Sequence, residues 1–311
     1  SVGTLHIRPV LNMKSDVDIK NMKSISQEAF EMVKNYKGSH SGEHGDGIVR
    51  SEFHEMMFGK KIISAFEEIK DTFDNKNLLN PGKIVRPYKS NDRSLMRYRS
   101  GYQANNINTH YDWSNWGQFS DAVEMCNNNG ACRKLDSGVM CPSYRVTKEE
   151  KDLVRGRANT LRLALSNQLP EGSFASKDMY ETMELCVSCK ACQRECPMSV
   201  DMAKMKSEFL SHYYKKFSMP IKDRIISDMP RLIWLLKIIA PTFNKVKNLP
   251  LISNLVNKFG FATERKMPEV QSQDALKDIY TSQPVSENKV ILFADTFNIN
   301  FENKNLIYSI K

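Results

Sequence analysis

Apolar and polar positions alternate from Thr4 to Val10 in the manner of a β-strand. From Ser26 to Tyr36 the period lengthens, and Ala29, Phe30, Met32, Val33 and Tyr36 fall on one helical face. A glycine-rich turn, Gly38 to Gly47, leads to a second helical stretch, Phe58 to Phe73, striped by Ile62, Ile63, Phe66, Ile69 and Phe73. Asn80-Pro81-Gly82 is a turn signal that closes a first unit, residues 1–87. Residues 88–112 are polar and aperiodic, which predicts a linker wrapped over a neighbour. Residues 113–218 form a module containing a helix from Lys148 to Leu165, with Thr147 as N-cap and Glu150 completing a capping box. Its core face is Leu153, Val154, Ala158, Leu161 and Leu165. Residues 219–288 are basic and helical up to about residue 267, with breaks expected at Pro220, Pro230, Pro241 and Pro250. Val290 to Phe293 reads as a buried strand opening a further domain, residues 289–311. Strands in the first unit beside an all-helical module predict an α+β class.

Composition, apolar runs and charge add to this picture. With 41% hydrophobic and 26% charged residues, the chain has the make-up of a globular protein. Its longest apolar run, Leu232 to Ala240, holds Lys237 and falls short of the roughly 20 residues a membrane span needs. No basic start followed by an apolar core marks a signal peptide. Because the chain opens on Ser1 and stops just after a strand-like run, it reads as an internal piece of a longer protein. Finally, eleven basic residues between Lys215 and Lys266 face three acidic ones, so that stretch carries +8 of the net +9. A solvated helical surface explains this most simply; an anionic membrane face or an acidic redox partner is the sharper expectation. Nucleic acid is set aside, since no groove-reading or base-stacking motif accompanies the charge.

All seven cysteines lie between 126 and 196. An odd number crowded into one segment points to metal ligation in a reducing compartment, hence a cytoplasmic setting, and not to a disulfide framework. Cys186, Cys189, Cys192 and Cys196-Pro197 follow the spacing in which three thiolates from a tight loop meet one iron–sulfur cluster and the fourth reaches a second cluster. A zinc knot, built from two separated cysteine pairs, is the competing reading. Laid on the same template, Cys126 and Cys132 take the first and third places, Cys141-Pro142 the last, and Asn129 stands where the middle cysteine belongs. Crossing the last ligands over groups Cys141, Cys186, Cys189 and Cys192 around a four-iron cluster. Cys126, Cys132 and Cys196 remain for a second cluster, four-iron or three-iron, one thiolate short. A neutral ligand in that place raises the reduction potential.

This region, including Val139-Met-Cys-Pro-Ser-Tyr144 and Arg155-Gly-Arg-Ala-Asn-Thr-Leu-Arg162, resembles the double-cluster helical ferredoxin domain of glycerol-3-phosphate, glycolate and D-lactate oxidising systems. It departs from the doubled cysteine pattern at Asn129, which leaves the type of the second cluster open.

The turn Ser41-Gly42-Glu43-His44-Gly45-Asp46-Gly47 sets a carboxylate and an imidazole side by side between glycines that permit close approach of a ligand. Histidine is suited to taking a proton near neutral pH. Alone, such a turn is a polar loop. Taken with Leu5-His6-Ile-Arg-Pro9 before it and Leu78-Leu-Asn80-Pro-Gly82-Lys83 after it, it resembles the C-terminal part of the FAD-linked D-2-hydroxyacid oxidase family. The resemblance implies a divalent metal such as zinc or manganese on His6 and Glu43, and His44 as the base. It also implies flavin contacts from Glu43, His44 and Asn80. In that chemistry the metal lowers the pKa of the substrate hydroxyl while hydride leaves the adjacent carbon for the flavin. Arg8 and Arg50 are candidates for the substrate carboxylate.

The combined order implies FAD- and iron–sulfur-dependent oxidation of a D-2-hydroxy acid, D-2-hydroxyglutarate or D-lactate, with electrons leaving through the clusters to a quinone or another carrier. Two rivals remain at this level: an electron-transfer subunit without its own substrate site, and a zinc-stabilised interaction module. Leu232–Ile239 and Leu249–Val256 would seat peripherally on the inner membrane face, or pack against a further domain.

Overall fold

The computed structural model describes residues 3–262, 264, 266–271 and 291–310. They fall into two compact units, one of Ser1–Phe174 with Glu181–Met202, the other of Ala175–Tyr180 with Ala203–Lys311.

Among the described residues there are helices and irregular segments but no strand, so the strands expected of an α+β class are not found there. Alternation alone does not make a strand; the backbone must find a neighbour to complete its ladder. Thr4 to Val10 is extended with no strand beside it, and Leu5 stands 95% exposed. Ile291 and Phe293 lie in an irregular, exposed stretch, and Val290 falls outside the described residues.

The first unit opens with α1 (Asp16–Asn35), longer than its apolar stripe foretold because Ser15 caps it by accepting the Asp18 N–H. Asp16 and Asp18 add negative charge to the first turn, where the helix dipole favours it. After the glycine-rich turn come α2 (Gly47–Ser51), α3 (His54–Phe58) and α4 (Lys60–Phe73), the last two separated by Gly59 at φ 82°. Phe30 of α1 meets Phe53 edge-to-face with ring centroids 4.9 Å apart, joining α1 to the start of α3.

The remainder of the unit contains α5 (Phe119–Glu124), α6 (Pro142–Thr147), α7 (Val154–Leu165) and α9 (Ala191–Glu195). α8 (Lys177–Glu184) leads into the second cysteine loop. The core face expected of α7 is the one buried: Leu153, Val154, Ala158, Leu161 and Leu165. Its start is not as expected. Thr147 ends α6, Lys148 turns left-handed at φ 60°, and α7 begins only at Val154. The Thr147 hydroxyl accepts the Glu149 N–H and organises the turn between the helices instead of capping α7.

In the second unit, α10 (Met202–Lys216) is followed by α11 (Ile221–Val246) and α12 (Pro250–Lys258). Pro230 and Pro241 lie inside α11 without breaking it. Each costs a backbone hydrogen bond, a loss of about 3 kcal/mol, yet helix-forming residues continue on both sides of each. Pro220 and Pro250 stand at helix starts, where the missing N–H costs nothing. Two short helices, α13 (Thr296–Asn300) and α14 (Asn303–Ile310), close the described chain. No helix among the described residues is long and apolar enough to cross a membrane.

Candidate functional site

The turn between α1 and α2 is held by its own hydroxyls. Ser39 donates to the Ser41 carbonyl at 2.8 Å, and Ser41 donates to the carbonyl of His44. The extended N-terminal segment lies against it at Gly42, where a methyl group would collide with the Thr4 side chain. That close approach brings His6 over the turn. His6 Nε2 sits 2.8 Å from Glu43 Oε1, and His44 Nε2 reaches the same oxygen at 3.3 Å. Two imidazoles therefore share one carboxylate oxygen, with Glu43 about one-third exposed and His44 largely exposed, so the group faces outward. Such a set can exchange protons with, or hold a cation against, a molecule placed over it.

The other residues singled out in this part are placed differently. Arg8 is exposed on the extended segment. Arg50 donates to the Gly45 carbonyl at 3.2 Å and so braces the turn. Asn80 adopts φ 49° in a loop built by Asp74, whose carboxylate accepts the Leu78 and Leu79 N–H groups and pairs with Lys70. The Lys70 ammonium and those amides hold the Asp74 carboxyl down at about 2.

Pattern reading passed over a second set. His40, Asp46 and His54 offer ligand atoms that all lie within 4.8 Å of one another. Burial draws the His40 imidazole below its usual range; Asp46 opposes this, and His54 and Arg50 add to it. The only sequence signal was two histidines flanking the glycine-rich turn, because the set is assembled by the packing of α3 against α1.

The cysteines occupy two loops of one backbone form. Cys126 follows α5, and Asn128 and Gly130 then turn left-handed at φ 64° and 79° before Cys132. Cys186 follows α8, and Ser188 and Lys190 turn left-handed at φ 53° and 59° before Cys192. The matched offsets set Asn129 opposite Cys189. Its amide oxygen accepts the Ala131 N–H at 2.8 Å, while Asn128 Oδ1 is 3.8 Å from Cys126 Sγ. Burial pushes the Cys126 thiol up, and the Cys196 sulfur adds to the shift against opposition from Asn128 and Arg97. Burial likewise raises Cys132, with Cys126 contributing. Cys126 thus lies within the field of Cys196, and Cys132 within that of Cys126. Cys141 is buried at the start of α6, whereas Cys189 is exposed.

Comparison with known proteins matches residues 2–84 to the FAD linked oxidases, C-terminal domain, and residues 122–200 to the 4Fe-4S dicluster domain. The chain joins an FAD-linked oxidase C-terminal domain to a 4Fe-4S dicluster domain. Similar curated proteins include D-2-hydroxyglutarate dehydrogenase of Pseudomonas putida, 29% identical over 96% of this chain and 34% of that protein. The Escherichia coli protein of that name is 29% identical over 82% of the chain and 28% of its own length. Glycolate oxidase subunit GlcD of Bacillus subtilis is 32% identical over 82 residues, 26% of the chain and 17% of that protein. The chain thus spans about a third of the length of the dehydrogenases it matches. No solved structure matches it.

Within the dicluster domain, two side chains tie the Cys141 segment to α8 and to α9. Arg157 is fully buried; it donates to the Thr182 carbonyl at 2.9 Å, the Ser143 hydroxyl at 3.2 Å and Cys141 Sγ at 3.6 Å. Glu195, between Cys192 and Cys196, accepts the N–H groups of Val139 and Met140 at 3.0 Å. Those amides hold its carboxyl below the usual range. Cys141 is so linked to α8 through Arg157, and the residues before it to the Cys186–Cys196 segment through Glu195. Cysteines on paired loops of equal winding, each with left-handed residues at the same offsets, fit iron–sulfur clusters.

The oxidase and dicluster domains meet through residues 88–112. Glu52 accepts the N–H and hydroxyl of Ser90, and Arg93 pairs with Asp16 at 2.8 Å. Arg97 donates to the Cys126 carbonyl at 2.6 Å. On Glu124, Lys14 and Tyr102 converge at 2.5 and 2.6 Å. Burial together with Glu124 pushes the Tyr102 phenol up to about 12.

Proposed function

We propose that the chain is part of an FAD- and iron–sulfur-dependent D-2-hydroxyacid dehydrogenase acting on D-2-hydroxyglutarate or D-lactate. The observation that carries this reading is the His6–Glu43–His44 group, exposed to an incoming molecule and built into the same compact unit as all seven cysteines. In this reading His44 takes the substrate hydroxyl proton and Glu43 fixes the imidazole's position. His6 and Glu43 are the residues that would hold a divalent ion such as zinc or manganese against the substrate oxygens. Flavin, when bound, supplies the two-electron acceptor. Arg8, free to turn on its extended segment, suits the substrate carboxylate better than Arg50, which is engaged in the turn.

Electrons then pass singly to clusters held by Cys141, Cys186, Cys189 and Cys192, and by Cys126, Cys132 and Cys196, toward a quinone or other carrier. Relatives named D-2-hydroxyglutarate dehydrogenase support the substrate class. The exposed apolar positions Leu232, Trp234 and Ile238 among the lysines of α11 suit peripheral contact with an anionic membrane.

The test is turnover of full-length protein with each hydroxy acid. His44→Ala is expected to lower kcat by about 10²–10⁴. Unchanged turnover would overturn the reading in favour of an electron-transfer subunit without its own substrate site.

A further inference from the structure

We propose that His40, Asp46 and His54 form a binding site for one divalent transition-metal ion of the zinc type, separate from the His6–Glu43–His44 group. His54 Nε2 lies 2.8 Å from Asp46 Oδ2, and His40 Nε2 lies 3.8 Å from Asp46 Oδ1. Ligands of a tetrahedral zinc ion at ordinary bond lengths stand about 3.3 Å apart, a spacing these two contacts bracket, and the three ligand atoms lie within 4.8 Å of one another. The second contact is too long for a hydrogen bond. Both ring nitrogens of His40, Asp46 Oδ1 and His54 Nδ1 are buried without a hydrogen-bond partner, and the His40 side chain is 1% exposed. Polar atoms are not normally left so in a protein interior. One ion between the three side chains would engage His40 and Asp46 Oδ1 together.

The surroundings favour a structural role. Phe30 and Phe58 stand edge-on to the His40 ring at 5.2 and 5.8 Å and close the site with apolar walls. Two imidazoles and a carboxylate select zinc-like ions over magnesium or calcium, which prefer all-oxygen sets. Arg50 opposes a cation here, but its guanidinium is turned to the Gly45 carbonyl. Because His40 and Asp46 bracket Glu43 and His44, a bound ion would clamp both ends of the turn that presents them.

The test measures zinc and iron per chain in anaerobically prepared full-length protein, stripped with EDTA, reloaded with zinc ion alone and gel-filtered. His40→Phe and the milder Asp46→Asn are expected to lose one zinc with iron content and circular dichroism retained. Glu43→Gln is expected to keep that zinc. Zinc-edge absorption of wild-type protein should show two imidazoles on that ion, a signal lost with it in His40→Phe. Equal zinc in wild type and both variants would overturn the proposal, leaving an ion pair of His54 and Asp46 beside a neutral His40. Loss of the same zinc in Glu43→Gln would overturn it also.

Discussion

Replacing Arg157 with methionine should undo the join between the Cys141 segment and α8. The guanidinium is wholly enclosed, and it donates to Thr182, Ser143 and Cys141 while lying 3.9 Å from Asp152, itself 1% exposed. Methionine fills the space but leaves the Asp152 carboxylate buried without its cation. Breaking a buried pair on one side costs about 3–5 kcal/mol. For a domain of this size each kcal/mol moves the melting midpoint by about 2–4 °C, so the fall should be about 6–20 °C. The assay is an anaerobic melt of full-length protein, read by far-ultraviolet dichroism and cluster absorbance. The double variant Arg157→Met with Asp152→Asn removes the stranded charge and should regain most of the loss. Arg157→Lys should recover less, because an ammonium cannot serve three acceptors in the geometry of the guanidinium fork. A single variant melting within about 2 °C of wild type, less than one kcal/mol on that scale, would refute the reasoning.

Acid should loosen the Asn80 turn: the Asp74 carboxyl is held down at about 2, so its contribution is full above its unfolded pKa, near 3.8, and is lost as pH falls toward 2. Faster exchange of the Leu78 and Leu79 amides below pH 4 would register this, and unchanged exchange down to pH 2 would refute it. Glu195→Gln keeps the shape but weakens the contacts with Val139 and Met140, and iron content should drop, as measured by metal analysis. Asn129→Cys should supply the missing thiolate and lower the potential of the second cluster, read by redox titration with electron paramagnetic resonance. Pelleting with anionic vesicles should weaken with salt and with Lys237→Glu in α11; salt-insensitive behaviour would remove the membrane contact.

The cysteine loops were legible because their ligands are local. Cys132 stands six positions after Cys126 and Cys192 six after Cys186, and the backbone repeats its left-handed turns at the same offsets. His6, Glu43 and His44 were legible as motifs, and the structure adds that Gly42 lets them meet. What remained hidden depends on tertiary packing. His40 and His54 join only because α3 folds back on α1, and nothing in their spacing announces it. The Thr147 capping box had the right letters, but Pro142 had already started a helix that ends on Thr147. In Thr4–Val10 the right alternation lacked a partner strand, and in α11 two prolines proved weaker than the helix around them.

The convergence on Glu124 bears on electron traffic. Lys14 from the oxidase domain and Tyr102 from the connecting segment grip one carboxylate two residues ahead of Cys126, whose carbonyl Arg97 holds. On the proposed reading, side chains and not the length of a tether would set the spacing between the hydroxy-acid chemistry and the nearest cluster. A protease nick in that polar connector should leave the halves associated and conducting, whereas loss of the Glu124 carboxylate should let the gap breathe and slow every hop across it.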